Sequence, residues 1–143
     1  MKSWTLVAYL SLHSSFYPDL NAVSLIALGN VPLPKQIRYL CARYKNRRFE
    51  LIFGNDLLAP LIDIKIALAL KQQWVTFTLV KDQVAISCNQ GTRQFSLDRL
   101  SLSAFQKAFG LRTSVRTRKS KRHTYFLNEL LESHSIDGLS GDR

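Results

Sequence analysis

The side chains of this protein best placed to do chemistry are cations, and they gather in two stretches that contain no carboxylate. The first stretch runs from Asn21 to Phe49 and carries six cations: Lys35, Arg38, Arg43, Lys45, Arg47 and Arg48. The second lies between Arg99 and Glu129 and includes six cations within eleven residues: Arg112, Arg116, Arg118, Lys119, Lys121 and Arg122. Such clusters repel themselves and attract polyanions, so we expect a phosphate-bearing partner.

The second cluster suits phosphate contacts because serine and threonine residues are interleaved with its cations. Hydroxyl groups and backbone amides can donate to phosphate oxygens, while lysine and arginine neutralise the charge. If about four to six of these side chains meet phosphates, the log–log salt dependence of binding should have a slope of about −4 to −5 on duplex DNA. We predict that residues 112–123 form a mobile basic arm, because like charges along a free segment repel one another.

The same charges are compatible with other partners. An anionic membrane surface or an acidic protein would also attract them, and a charged linker needs no partner at all. Binding of single-stranded nucleic acid by base stacking would in addition require exposed aromatic rings. The candidate rings near or before the first cluster are Phe16, Tyr17, Tyr39 and Tyr44.

An enzymatic alternative rests on the short run Leu-Ile-Asp63-Ile-Lys65-Ile. This apolar–Asp–x–Lys pattern resembles the second half of the PD-(D/E)xK nuclease motif. The resemblance implies a metal-dependent nuclease in which carboxylates on strands bind the metal and Lys65 assists the attacking water, with Asp56 or Glu50 as the upstream carboxylate. The geometry requires a strand, on which Asp63 and Lys65 share one face. On a helix the two side chains point about 200° apart.

Other catalytic or cofactor-binding patterns are not found. No Cys and His spacing resembles a zinc site, and neither a glycine-rich phosphate loop nor a nucleophile elbow occurs. The leading interpretation therefore includes no catalytic residue, no metal and no cofactor, with Asp63 and Lys65 kept as the alternative.

The bulk composition predicts a folded protein with a hydrophobic core. The chain has 143 residues, 46% of them hydrophobic, and a net charge of +10 at pH 7. That length suits one domain.

The two cysteines, Cys41 and Cys88, lie in apolar surroundings and favour reduced thiols in the cytoplasm. We interpret residues 1–12 as a strand rather than a signal peptide, because Leu6, Ala8, Leu10 and Leu12 alternate as they would in a half-buried strand.

Periodicity and turn residues predict the remaining elements. Helices are expected at 22–28, at 34–45 and, with Asp56 as its N-cap, at 56–72. A short strand is expected at 49–53 and a three-stranded antiparallel meander at 74–97. A helix at 103–109 ends at Gly110, and another begins after Thr124. No apolar run has the length of a membrane-spanning helix.

These elements predict an α+β fold in which an antiparallel meander is packed by helices. We expect a single domain at 1–133 that includes the arm, followed by a disordered tail at 134–143. The predicted function is nucleic-acid binding, DNA more than RNA, by a regulatory or accessory factor that contacts phosphates through both clusters. A homodimer or a protein partner is compatible with this function. The alternatives are the metal-dependent nuclease and an adaptor that docks an acidic protein.

Overall fold

The computed structural model of this protein describes residues 3–29 and 31–139, with side chains described at 5–29 and 31–133. The chain divides into two compact units. The first, called the helical unit here, comprises Met1–Val31, Ile52–Asn55 and Arg118–Arg143. The second, called the sheet unit, comprises Pro32–Leu51 and Asp56–Thr117.

In chain order, the helices and strands are α1 (Ser3–His13), α2 (Pro34–Arg43), β1 (Phe49–Leu51), α3 (Ala59–Leu70), β2 (Val75–Val80), β3 (Gln83–Cys88), β4 (Gly91–Ser96), α4 (Leu102–Phe109), β5 (Val115–Thr117) and α5 (Phe126–Leu139). The predicted α+β class is confirmed. Within the described residues, no helix is both long enough and apolar enough to cross a membrane.

The antiparallel meander predicted from sequence is confirmed in the sheet unit, where the strands are ordered β2-β3-β4. Its central strand buries Val84, Ile86 and Cys88, while the residues between them are more exposed. This alternation is the two-residue period of a strand with one face against a core. Helix α3 packs against β2 and also contacts α2 and α4.

Helix α3 supplies the centre of this core. The side chain of Asp56 accepts hydrogen bonds from the backbone amides of Leu58 (3.1 Å) and Ala59 (2.8 Å), which satisfies two donors at the helix start. Ile64 and Leu68, one helical turn apart, are fully buried. The prediction of a helix in segment 56–72 is therefore confirmed, although the helix begins at Ala59 and its N-cap is Leu58 rather than the predicted Asp56.

A second, two-stranded sheet in the same unit joins distant parts of the chain. Strand β1 pairs with β5 in parallel, with Phe49 opposite Val115 and Leu51 opposite Thr117. Leu51 and Val115 are buried, so one face of the pair is turned to the core. The prediction of a strand near 49–53 is confirmed, whereas β5 lies inside the segment expected to be a mobile arm.

The N-terminal segment of the helical unit is helical, so the prediction of a strand at 1–12 is wrong. Thr5, Ala8 and Tyr9 are all buried, and Leu12 packs against the same cluster. These positions are spaced i, i+3, i+4 and i+7, which is one face of a helix. The ring of Tyr9 meets that of Phe126 edge-on at 5.0 Å between centroids, and α1 packs along α5.

Two further sequence predictions need correction. Residues 22–28 form no α-helix, and only the 3-10 turn Leu20–Ala22 is found there. Leu25 and Ile26 are exposed, so this short segment lacks the buried face that would offset the cost of helix nucleation. Helix α5 extends to Leu139, into the segment predicted to be a disordered tail, while 140–143 lie outside the described residues.

Candidate nucleic-acid interface

Helix α2 presents cations on the face opposite the core. The backbone amide of Leu33 donates to the Gln36 side chain at 2.7 Å, and Pro34 occupies the first turn, where its missing donor has no cost. Ile37 and Leu40 are buried, which fixes the rotation of the helix. The remaining positions turn outward, and the exposed cations of the helix are Lys35, Arg38 and Arg43.

The chain continues the basic cluster into β1. The backbone amide of Tyr44 donates to the carbonyl of Leu40 at 2.9 Å, and the amide of Arg47 donates to the carbonyl of Tyr44 at 3.0 Å. This turn ends the helix and leads directly into the strand. Its three cations are all exposed: Lys45, Arg47 and Arg48. All six cations of the first predicted cluster are therefore accessible.

The parallel β1–β5 pair adds two cations from the second predicted cluster. Extending its register by one residue toward the N-termini places Arg48 beside Ser114, two residues after Arg112. Arg116 stands opposite Glu50 on the face turned away from buried Leu51. Both Arg112 and Arg116 are exposed. The pairing therefore brings part of each cluster to neighbouring strand ends.

Sequence reasoning missed one cation of this region. The ammonium of Lys71, just after α3, donates to the backbone carbonyl of Arg112 at 3.0 Å, and Lys71 is exposed. Nothing local in the sequence marks this lysine, because the contact joins residues that are far apart in the chain. We call the resulting set the basic surface; its members are Lys35, Arg38, Arg43, Lys45, Arg47, Arg48, Lys71, Arg112 and Arg116.

The basic surface retains its charge. Among the residues whose side chains the structure describes, no carboxylate forms an ion pair with any of these nine cations. Exposed cations that are not paired within the protein remain available to a polyanion. Had carboxylates of the protein neutralised them, a phosphate partner would have had to displace those carboxylates.

The other four predicted cations belong to the helical unit, and two of them are partly buried. The ammonium of Lys119 donates to the carbonyl of Gly54 at 3.1 Å and lies 6.0 Å from the centre of the Phe53 ring. Arg118 is half-buried as well. Lys121 and Arg122 are exposed.

The loop that carries Lys121 and Arg122 is attached to α5. The hydroxyl of Ser120, which is buried, donates to Glu129 at 2.5 Å and accepts the backbone amide of His123 at 3.2 Å. The ring of His123 contacts the Glu132 carboxylate at 2.5 Å. The segment 112–123, predicted to be a mobile basic arm, therefore contains the paired strand β5 and contacts with two glutamates of α5.

The strand geometry required by the nuclease alternative is absent from the Asp63 segment. Asp63 and Lys65 lie in α3, where residues two apart point about 200° away from each other. Asp63 is only 1% exposed, whereas Lys65 is exposed. The helix buries Leu61 and Ile64, which lie three residues apart near one face of it. Within the described residues, no three Cys, His, Asp or Glu side chains cluster as a metal site would require.

Both cysteines of the sheet unit are free thiols. Cys88 is buried in β3 and Cys41 is half-buried on α2. Burial raises the pKa of the Cys41 thiol, with a smaller opposing contribution from a backbone hydrogen bond.

Comparison of the chain with protein-family models, with curated proteins and with solved structures yields no match.

Proposed function

We propose that this protein binds nucleic acid, with DNA as the first polymer to test, through phosphate contacts made by the basic surface. The observation that carries the proposal is that all nine cations are exposed and that none is ion-paired with a described carboxylate of the protein. A regulatory or accessory role in the cytoplasm, as a monomer or a homodimer, is compatible with an exposed surface of this charge.

Phosphate contacts of this kind have a measurable electrostatic signature. Each phosphate neutralised on a duplex contributes about −0.9 to the slope of log binding constant against log salt concentration, and about −0.7 on a single strand. If about four to six of the nine cations make contact, the slope should be about −4 to −5 on duplex DNA and about −3 to −4 on a single strand.

The decisive experiment removes charge where β1 and β5 meet. Arg47, Arg48 and Arg112 are changed together to Gln, and binding to fluorescent DNA and RNA oligonucleotides is titrated between 50 and 200 mM salt, a range over which four to six phosphate contacts change affinity by roughly 10² to 10³. We expect the duplex slope to become shallower by about 2 to 3, since each lost contact removes about 0.9.

A matched control separates this surface from net charge. Lys65, Lys81 and Arg99 are exposed cations outside the basic surface, and changing all three to Gln removes the same charge. The control should retain the wild-type slope. If the salt slope became equally shallow in both triple variants, the proposal would be contradicted, because cations outside the basic surface would then contribute to binding as much as those within it. Salt-independent retention on DNA, or stronger retention by an acidic protein than by DNA, would favour the adaptor alternative instead.

A further inference from the structure

The exposed aromatic ring of Tyr39 lies in the middle of the cations of α2. Its side chain is 62% exposed, although a tyrosine on a helix that packs against a core commonly turns its ring inward. Lys35 and Arg43 are four residues before and after it, and residues four apart are neighbours on a helix surface, with about 5–6 Å between Cβ atoms. Arg38, the residue before it in sequence, is also exposed.

The Tyr39 ring has no partner inside the described part of the chain, since it takes part in no ring stack and no cation–ring contact there. The other rings suggested by sequence differ from it. Tyr17 packs against the core of the helical unit and shares a hydrogen bond of 2.9 Å with the hydroxyl of Tyr9. Phe16 is 61% exposed, but its ring centre lies 5.5 Å from that of His13. Tyr44 is half-buried.

We propose that Tyr39 stacks on a base of a single-stranded nucleic acid whose phosphates lie against Lys35, Arg38 and Arg43. The inference rests on the proposed function and deepens it, because it names the form of the nucleic acid. A single-strand binding site combines aromatic rings that stack on bases with cations that contact the phosphate backbone, and Tyr39 and its neighbouring cations supply both. Bases in a duplex are already stacked on one another, so their faces are closed to Tyr39.

The test compares Tyr39→Leu with Tyr39→Phe. Leucine keeps an apolar side chain but removes the aromatic face, whereas phenylalanine keeps the face and removes only the hydroxyl. Affinities are measured by fluorescence anisotropy at fixed salt for oligo(dT), oligo(U), a DNA duplex of equal length and an abasic strand of deoxyribose phosphate. Phe16→Leu is the control for an equally exposed ring in the helical unit, and circular dichroism verifies that each variant is folded.

We expect Tyr39→Leu to weaken binding to oligo(dT) and oligo(U) by about 5- to 150-fold, the range that loss of one base–aromatic stack produces. Its affinities for the duplex and for the abasic strand should be unchanged, and its salt slope should equal that of the wild type. Tyr39→Phe and Phe16→Leu should both bind oligo(dT) like the wild type. The ratio of oligo(dT) to oligo(U) affinity then reports whether the strand is DNA or RNA.

The inference is overturned if Tyr39→Leu binds oligo(dT) within two-fold of the wild type, or if it weakens all four ligands equally. In either case salt-dependent binding by the wild type would leave the proposed function standing. If the wild type shows no salt-dependent binding to any of the ligands, the proposed function and the inference fail together.

Discussion

Glu50 of β1 and Arg116 of β5 lie directly opposite each other in the register of the parallel pair. In-register residues of neighbouring strands share one face of a sheet, and here that is the face turned away from buried Leu51 and Val115. Glu50 is therefore a negative charge placed beside the cations of the basic surface. Arg47 and Arg48 lie three and two residues before it in sequence.

Replacing Glu50 by Gln should strengthen nucleic-acid binding, because it removes a charge that repels phosphates and retains the shape of the side chain. We expect up to about a 5-fold gain in affinity at low salt, since a pair of charges about 4 Å apart in water is worth about 1 kcal/mol. The gain should shrink as salt screens the charges. Asp82→Asn, which makes the same change of net charge in the exposed turn between β2 and β3, should have little effect. Equal gains in both variants would show that net charge alone matters.

Replacing Ser120 by Ala should loosen the loop that carries Lys121 and Arg122. The buried hydroxyl links the loop to Glu129 and also accepts the amide of His123, and both groups would lose a partner. We expect the free energy of unfolding of the helical unit to fall by about 1–3 kcal/mol, as for other buried polar groups left unsatisfied. Urea denaturation measures the loss, and hydrogen exchange should show faster exchange at 121–123.

An exposed serine provides the control for the loss of stability expected on replacing Ser120. Ser103 lies on the surface of α4 and forms no hydrogen bond through its side chain among the described residues. Ser103→Ala should change the free energy of unfolding by no more than about 0.5 kcal/mol. A Ser120 variant as stable as this control would contradict the structural role given to the Ser120 hydroxyl.

Replacing Gln72 by Gly should stabilise the sheet unit. Gln72 follows α3 with a backbone φ of +57°, and the next amide, that of Gln73, closes the helix end on the carbonyl of Leu68 at 2.9 Å. Residues that carry a Cβ atom are strained in this left-handed conformation, whereas glycine is not. We expect a gain of about 0.5–1 kcal/mol in the free energy of unfolding, measured by thermal or urea denaturation. Gln72→Ala keeps the Cβ atom and should give no gain, so a gain from alanine would point to the glutamine side chain instead.

The Cys41 thiol should react slowly with iodoacetamide. The thiolate is the reactive form, and burial raises the pKa of Cys41, so the thiolate fraction of the folded protein is reduced at a given pH. The pH at which the alkylation rate reaches half its maximum should lie above that of the same cysteine in the urea-unfolded chain, as followed by peptide mass spectrometry. Cys88, which is buried, should be slower still. Coinciding pH profiles in the folded and unfolded chain would contradict the burial argument.

Local patterns predicted much of the sheet unit. Alternating β-branched residues separated by short turns indicated the β2-β3-β4 meander, and Asp56 indicated the beginning of α3. Gly110 was expected to end α4, and it does so with a φ of +64°. These features depend on hydrogen bonds and side-chain periods within a few residues, which is why they can be read along the chain.

The helical unit was less predictable because its helices depend on packing. The spacing of apolar residues at 1–12 is compatible with a strand and with a helix, and contact with α5 selects the helix by burying Ala8 and Tyr9. The opposite outcome occurs at 22–28, where Leu25 and Ile26 find no buried environment and no helix forms.

The amino-acid sequence alone determined that the protein is strongly basic, that its cations form two carboxylate-free clusters and that an antiparallel meander is present. Only the tertiary structure decided that Arg116 lies beside β1 and that Lys71 contacts the backbone of Arg112, while Arg118 and Lys119 are partly buried in the helical unit. The exposure of Tyr39 on α2 was decided in the same way, by the burial of Ile37 and Leu40. The physical reason is that strand pairing and core burial join residues far apart in the chain, and such contacts leave no local pattern.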